Sequence, residues 1–175
     1  GVPGSGKTTL ANLLGKATGL PLIEADKIRN IAKKDKTPKT NPYYFLPTTE
    51  AYKATGKRTP INVIKGLMGV RETFIKFVDK EIFLHQAGYI IEGAFLDPHN
   101  LRNKGAVLLL TIPSESQHRN QFLVHRTEES FKNGQFENAR LIQDFLITEA
   151  KEADIPILEN TGDLNKLIKQ IMTIY

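Results

Sequence analysis

Gly1-Val2-Pro3-Gly4-Ser5-Gly6-Lys7-Thr8-Thr9 opens the chain, and its reading decides the fold. The stretch fits G-x-x-x-x-G-K-[ST], a glycine-rich loop suited to phosphate. Glycines let the backbone turn tightly, so that successive N–H groups face one anion. Lys7 reaches the outer phosphates as a mobile point charge, and Thr8 offers a hydroxyl to Mg²⁺. The helix expected next adds its positive N-terminal end. Leu10, Leu13 and Leu14 recur at helical spacing, and Gly19 stands where that helix would stop. Gly4, Ser5, Gly6, Lys7, Thr8 and Thr9 are therefore the expected nucleotide contacts. Gly1 with Ser5 also has the spacing of a myristoylation signal, but the phosphate loop accounts for more of the residues. Loops of this kind follow a buried strand, so a first strand is expected ahead of Gly1, outside this chain.

Beyond the loop, strand and helix patterns alternate. Residues 20–25 read as a short strand ending in Asp26, followed by a basic helix or loop to about Lys34. Residues 35–60 are the least regular part, with four prolines and the aromatic run Tyr43-Tyr44-Phe45. Those aromatics are expected to join a satellite core rather than to stack bases. Residues 61–86 carry apolar side chains at the spacing of a long amphipathic helix. Residues 88–95 and 106–113 are near-continuous apolar runs, the mark of strands buried on both faces of a parallel sheet. Ser114 caps a helix expected to run to about Ser130, and Asn133-Gly134 marks a turn. Helices over 138–151 and 163–174 flank a last strand over 155–160. The expected architecture is α/β, of the P-loop NTPase type. It is a parallel sheet with helices on both faces, five-stranded with the strand ahead of Gly1. Residues 1–175 read as a single kinase-type domain with a lid over about 115–140.

Composition narrows the function. The 175 residues include no cysteine, which excludes a disulfide framework, a thiolate zinc site and a thiol nucleophile. It also fits a reducing compartment, so a cytoplasmic location is expected. Apolar runs fall far short of the roughly 18 residues of a membrane helix. The net charge is +5. All of the excess lies in residues 27–39, where Lys27, Arg29, Lys33, Lys34, Lys36 and Lys39 face Asp35 alone. Such a run is either a solvated surface or an electrostatic funnel for an anion.

In a parallel sheet, ligands gather at the carboxyl ends of the strands. There the sequence offers Asp26, Glu92 and Asn160. Two carboxylates beside a phosphate loop suit Mg²⁺ organisation and base catalysis on a hydroxyl. Arg119, Arg126 and Arg140 fall in and after the 114–130 helix, the first two on one face by their spacing. They are the candidates to clamp a transferring phosphoryl group. His85, His99, His118 and His125 are read as non-ligands. The last two stand about 10 Å apart on the expected helix, too far to share a metal. A GTPase would need Asn-Lys-x-Asp, whereas Asn103-Lys104 is followed by Gly105-Ala106. Motor and AAA-type ATPases carry paired acidic residues after an apolar strand, and here Glu92 stands alone. A small-molecule kinase fits better.

A family resemblance rests on four segments. These are Asp26-Lys27-Ile28-Arg29, Asn62-Val63-Ile64-Lys65-Gly66, Ile90-Ile91-Glu92-Gly93-Ala94-Phe95-Leu96-Asp97-Pro98, and Arg140 through Leu146 with Pro156 to Asn160. Together with the loop they resemble archaeal 2-phosphoglycerate kinase. The resemblance departs at Glu24-Ala25, where the family usually has Ser-Thr. The resemblance implies transfer of the ATP γ-phosphoryl group to 2-phosphoglycerate, giving 2,3-bisphosphoglycerate.

The expected roles follow. Lys7 and the loop hold ATP, with Asn160 beside them. Thr8 and Glu92 serve Mg²⁺. Asp26 orients or deprotonates the acceptor hydroxyl, Arg29 binds its anionic group, and Gly93 adjoins it. Arg126 and Arg140 close over the phosphoryl group. The expected partners are ATP and a small phosphorylated or carboxylate metabolite, with no membrane; nucleic acid is the lesser candidate. A nucleotide, nucleoside or polynucleotide 5′-kinase is the alternative, and a non-catalytic ATP-binding regulator a third. Oligomeric state and acceptor identity stay open at this level.

Overall fold

The computed structural model describes residues 1–85, 87–124 and 126–174. Among these, helices α1 (Lys7–Thr18), α2 (Ala25–Ala32), α3 (Pro60–Leu84), α4 (Pro98–Leu101), α5 (Glu115–Leu123), α6 (Glu128–Lys132), α7 (Gln135–Glu152) and α8 (Leu164–Ile174) alternate with short strands. The strands are β1 (Leu22–Glu24), β2 (Ile90–Glu92), β3 (Leu109–Thr111) and β4 (Ile157–Glu159). The chain is thus α/β with parallel strands. β1 pairs with β2 in the register Leu22–Ile90, Ile23–Ile91, Glu24–Glu92. β3 pairs with β4, Leu109–Ile157 to Thr111–Glu159.

Local chemistry sets several helix boundaries, at Gly19 and Ser114 as read in the sequence and at Thr59 beyond that reading. Gly19 ends α1 in the left-handed conformation, φ 74°, and its N–H returns to the Gly15 carbonyl. The Thr59 side chain accepts from the Asn62 N–H ahead of Pro60, a capped start for α3. Ser114 caps α5 by accepting from the Gln117 N–H.

Three expectations are corrected. The 20–25 strand ends at Glu24, not at Asp26, which lies in the first turn of α2. Its charge there suits the positive end of the helix. The helix expected over 114–130 breaks after Leu123 and restarts at Glu128. Arg119 and Arg126 therefore do not share a helix face. Instead of one sheet, the described strands form two separate parallel pairs, each three residues long. The expected helix end at Gln86 and the expectation for His125 lie outside the described residues.

β2 and β3 flank an apolar trough of about 800 Å³, also bounded by Leu10 and Leu14 of α1 and by Leu146 and Ala150 of α7. The main core centres on α3, where Leu67, Val70 and Phe74 are fully buried. Tyr44 meets Phe74 edge-on at 5.1 Å, so the irregular 35–60 segment contributes aromatics to this core. α3 is joined to α7 by the buried Arg71–Glu149 pair, with two parallel bonds of 2.7 Å. A second cluster packs α1 and α8 against Leu110 and Leu158 of β3 and β4. A third joins Phe122 of α5 to Phe136 and Ala139 of α7. No helix among the described residues is long and apolar enough to cross a membrane.

Candidate active site

The glycine-rich loop wraps the start of α1. Gly4 and Gly6 take left-handed conformations, φ 81° and 86°, which side-chain-bearing residues rarely adopt. α1 begins without a side-chain cap, so its first N–H groups are not taken by the preceding residue. Gly4, Gly6, Lys7, Thr8 and Thr9 line a cavity of about 1100 Å³. Ser5 differs: its side chain is fully buried away from that cavity, and its N–H donates to the Val2 carbonyl at 3.2 Å.

Two carbonyls of the loop are held from behind. The Asn160 amide donates to the Ser5 carbonyl at 2.9 Å, and its own oxygen accepts from the Gly162 N–H. The His118 ring meets the Pro3 carbonyl at 2.9 Å. Asn160 also lines the cavity and is 2% exposed, so the residue expected at the nucleotide braces the loop as well.

Glu92 ends β2 under the loop. Its Oε1 accepts from the Thr8 hydroxyl at 2.9 Å, and its Oε2 lies 3.8 Å from the Lys7 ammonium. That Oε2 is buried without a hydrogen-bond partner among the described residues. A hydroxyl and a carboxylate with a bare buried oxygen are hard donors of the kind that Mg²⁺ takes, so this pair fits such an ion. No group of three or more acidic, His or Cys ligands occurs among the described residues. Gly93, next along, packs tightly on α2. A Cβ there would come within 2.6 Å of the Ala25 Cβ, while Ala94 lines the cavity.

The opposite wall belongs to α2. Asp26, Arg29, Asn30 and Lys33 line it. Asp26 is exposed to the cavity, whereas Arg29 is only 8% exposed. Its Nη2 and Nε donate to the carbonyls of Tyr43 and Tyr44 at 3.1 and 3.3 Å, and its guanidinium lies over Phe74. Burial lowers its pKa from the usual value, partly offset by Asp26. Arg29 thus spends donors on fixing the 42–45 turn.

The three expected lid arginines part company. Arg126 lines the cavity, stacked 4.7 Å over Phe122 and donating to Gln135 at 2.6 Å. Burial lowers its pKa, with Asp26 and Glu50 acting the other way. Arg119 lies 4.2 Å over Phe131 and pairs with Glu115. Arg140 donates to the Ile112 and Pro113 carbonyls, tying α7 to the end of β3. Neither Arg119 nor Arg140 is among the lining residues.

Sequence reasoning missed Asn30 on the cavity wall and did not single out Lys33 from the basic run. Their spacing could have found them: four and seven residues after Asp26 is one face of a helix. It also missed Gln121 and Gln135, which carry no motif signal.

No family model matches the chain. Curated relatives include three archaeal proteins named 2-phosphoglycerate kinase. The chain is 27% identical over 176 residues to that of Methanocaldococcus jannaschii. It is 28% and 26% identical over 184 residues to those of Pyrococcus furiosus and Pyrococcus horikoshii. The matches cover 91–98% of this chain but only 56–61% of the relatives, so the chain spans under two thirds of their length. The resemblance to archaeal 2-phosphoglycerate kinases therefore extends over nearly the whole chain.

Proposed function

We propose that the chain is a P-loop kinase that transfers the ATP γ-phosphoryl group to a hydroxyl of a small anionic metabolite, with 2-phosphoglycerate as the first acceptor to test. One observation carries this reading. Lys7 and Thr8, at the start of an uncapped helix, are tied to one buried carboxylate beside a cavity whose far wall presents Asp26 and Arg126. The likeness to proteins named 2-phosphoglycerate kinase supports the acceptor.

In this reading the N–H groups of Gly4, Gly6, Lys7, Thr8 and Thr9 hold the phosphates. Lys7 neutralises charge that grows as the phosphoryl group leaves. Thr8 and Glu92 hold Mg²⁺, which when bound would screen the phosphate oxygens. Ser5 and Asn160 set the loop's shape from behind. Asp26 accepts or directs the acceptor's hydroxyl proton, the usual task of a carboxylate in phosphoryl transfer. Arg126 faces the transferring group. Lys33 and the part of Arg29 that reaches the cavity supply positive charge for an anionic acceptor, while Gly93 holds the α2 wall close. Arg140 acts one step removed, through the chain after β3. Of the segment over about 115–140 read as a lid, the part between the break after Leu123 and Gly134 would close over the site, while His118, Phe122, Phe136 and Ala139 keep α5 and the start of α7 in the packed body.

ADP release should be followed with 2-phosphoglycerate, other phosphorylated acids, nucleosides and 5′-hydroxyl oligonucleotides in turn. Turnover with a small acid supports the reading. Turnover with oligonucleotides alone supports the polynucleotide kinase instead. ATP binding without turnover on any acceptor would leave the regulator.

A further inference from the structure

His118 sits on α5 and is fully buried, 115 positions from the loop residue it touches. Its Nε2 lies 2.9 Å from the Pro3 carbonyl oxygen. A carbonyl only accepts, so Nε2 carries the proton and Nδ1 is bare. Nδ1 is buried without a hydrogen-bond partner among the described residues. The ring is packed by Phe122 and Phe136, centroids at 6.2 and 5.0 Å. It also closes on Gly4: a Cβ at that glycine would stand 3.1 Å from the His118 Cδ2.

A peptide group is planar and trans, so its C=O and the following N–H point in opposite directions. Whatever fixes the Pro3 carbonyl therefore aims the Gly4 N–H. In the same way, the Asn160 bond to the Ser5 carbonyl aims the Gly6 N–H. Gly4 and Gly6 both line the cavity.

We propose that His118 is a positioning residue for the phosphate loop: its neutral ring holds the Pro3 carbonyl and packs under Gly4, aiming the Gly4 N–H into the cavity before ATP binds. The inference rests on the ATP-site reading above. A neutral donor suits the place. The groups around the ring are Arg140 of α7, which disfavours a second proton, and Glu115 of α5, which favours one. Arg119 lies 4.9 Å over the Phe136 ring, and the loop offers only backbone. Burial, the largest influence, keeps the ring below the ordinary imidazole value. A proton on Nδ1 would put a cation among Phe122 and Phe136 with no acceptor.

The test is Mg-ATP titration of the intact protein as wild type, His118→Leu and His118→Gln, with the unliganded melting temperature of each. Leucine fills space but cannot donate; the glutamine amide can. ATP affinity should fall about tenfold or more in His118→Leu, the scale of one buried hydrogen bond. Most of it should return in His118→Gln. Because burial holds the ring below the ordinary imidazole value, wild-type affinity should show no His118-dependent loss as pH passes about 6.5 and should lose it only at lower pH, where a second proton is forced onto the ring; that component should be absent in His118→Gln. If His118→Leu does not fold, His118→Asn, whose shorter amide cannot reach Pro3, takes its place. Wild-type affinity in the non-donating variant, or equal loss in both variants, would overturn the inference. Failure of the wild type to bind Mg-ATP would instead overturn the site reading, and this inference with it.

Discussion

The two walls of the cavity are built on opposite plans. On the loop side, the carbonyls of Pro3 and Ser5 are held by His118 and Asn160, and Lys7 and Thr8 converge on Glu92. On the α2 side, Asp26 and Asn30 stand exposed, and the buried group, Arg29, is spent on backbone carbonyls of the chain that follows. The loop wall is preorganised for one fixed ligand geometry. The α2 wall offers charge with little fixed direction. A kinase has the same division of labour, since the nucleotide is common to the class and the acceptor is not. The comparison predicts that changes on the loop side abolish chemistry whatever the acceptor, while changes on the α2 side discriminate among acceptors or act on stability.

The largest effect should come from Lys7→Ala. In the proposed reading it removes charge aimed at the transition state, and it takes away the ammonium 3.8 Å from Glu92 Oε2. Phosphoryl transfer should fall by about 10²–10³ or more, measured as kcat/KM with every acceptor that turns over. Unchanged turnover would remove the loop from the mechanism and erase the contrast between the walls.

The carboxylates come next. Asp26→Asn keeps the shape but loses the proposed proton acceptor, and kcat should drop by about 10² or more with ATP affinity held. Glu92→Gln should instead raise the Mg²⁺ concentration needed for half-maximal rate, because the bare buried Oε2 becomes an amide that cannot carry charge. A reversed pattern, with Asp26→Asn shifting the Mg²⁺ dependence, would exchange the two roles.

Much of this contrast is readable in the sequence, and the rest is missing for physical reasons. Gly19, Thr59-Pro60, Ser114 and Gly134 mark helix ends through local chemistry, and each does so in the structure. The break after Leu123 also has a local signal: Thr127 ahead of Glu128-Glu129 is a helix-start pattern that a continuous reading overrides. The apolar runs at 88–95 and 106–113 are longer than the strands they contain. Among the described strands, β2 and β3 each pair on one side, over three residues. The roles of Arg29 and His118 are not readable. Their partners, the carbonyls of Tyr43, Tyr44 and Pro3, lie 14, 15 and 115 positions away and are backbone atoms, which carry no sequence signature.

Arg29 is the position where the two plans meet, and its replacement separates them. An acceptor-binding arginine, when removed, raises KM and leaves stability alone. A buried arginine holding two carbonyls, when removed, leaves those oxygens unpaired. The bonds in the structure predict that Arg29→Ala costs about 1–3 kcal/mol of stability, seen as a lower melting temperature. Any rise in acceptor KM should be partly restored by Arg29→Lys only if the charge reaches the cavity. A pure KM effect at full stability would mean that the 42–45 turn holds without it.

The smallest effect is expected at the outer end of the basic segment. Lys36 and Lys39 are exposed, and neither lines the cavity, whereas Lys33 does. The Lys36 ammonium lies 5.9 Å over the Tyr44 ring, an interaction that is weak at an exposed site. For a small acid held against α2, the double replacement Lys36→Ala, Lys39→Ala should change kcat/KM by no more than about twofold, the scale of ordinary surface substitutions. A strand of nucleic acid would be read differently, because it runs past the cavity along the charged face. Each phosphate that the protein no longer neutralises should then make the salt dependence of binding shallower by about 0.7 in log–log slope. The same two lysines thus separate the acceptor classes. Loss of oligonucleotide affinity in step with their removal would make the α2 wall a nucleic-acid track, and the exposed charge of residues 27–39 would be its binding surface rather than solvated excess.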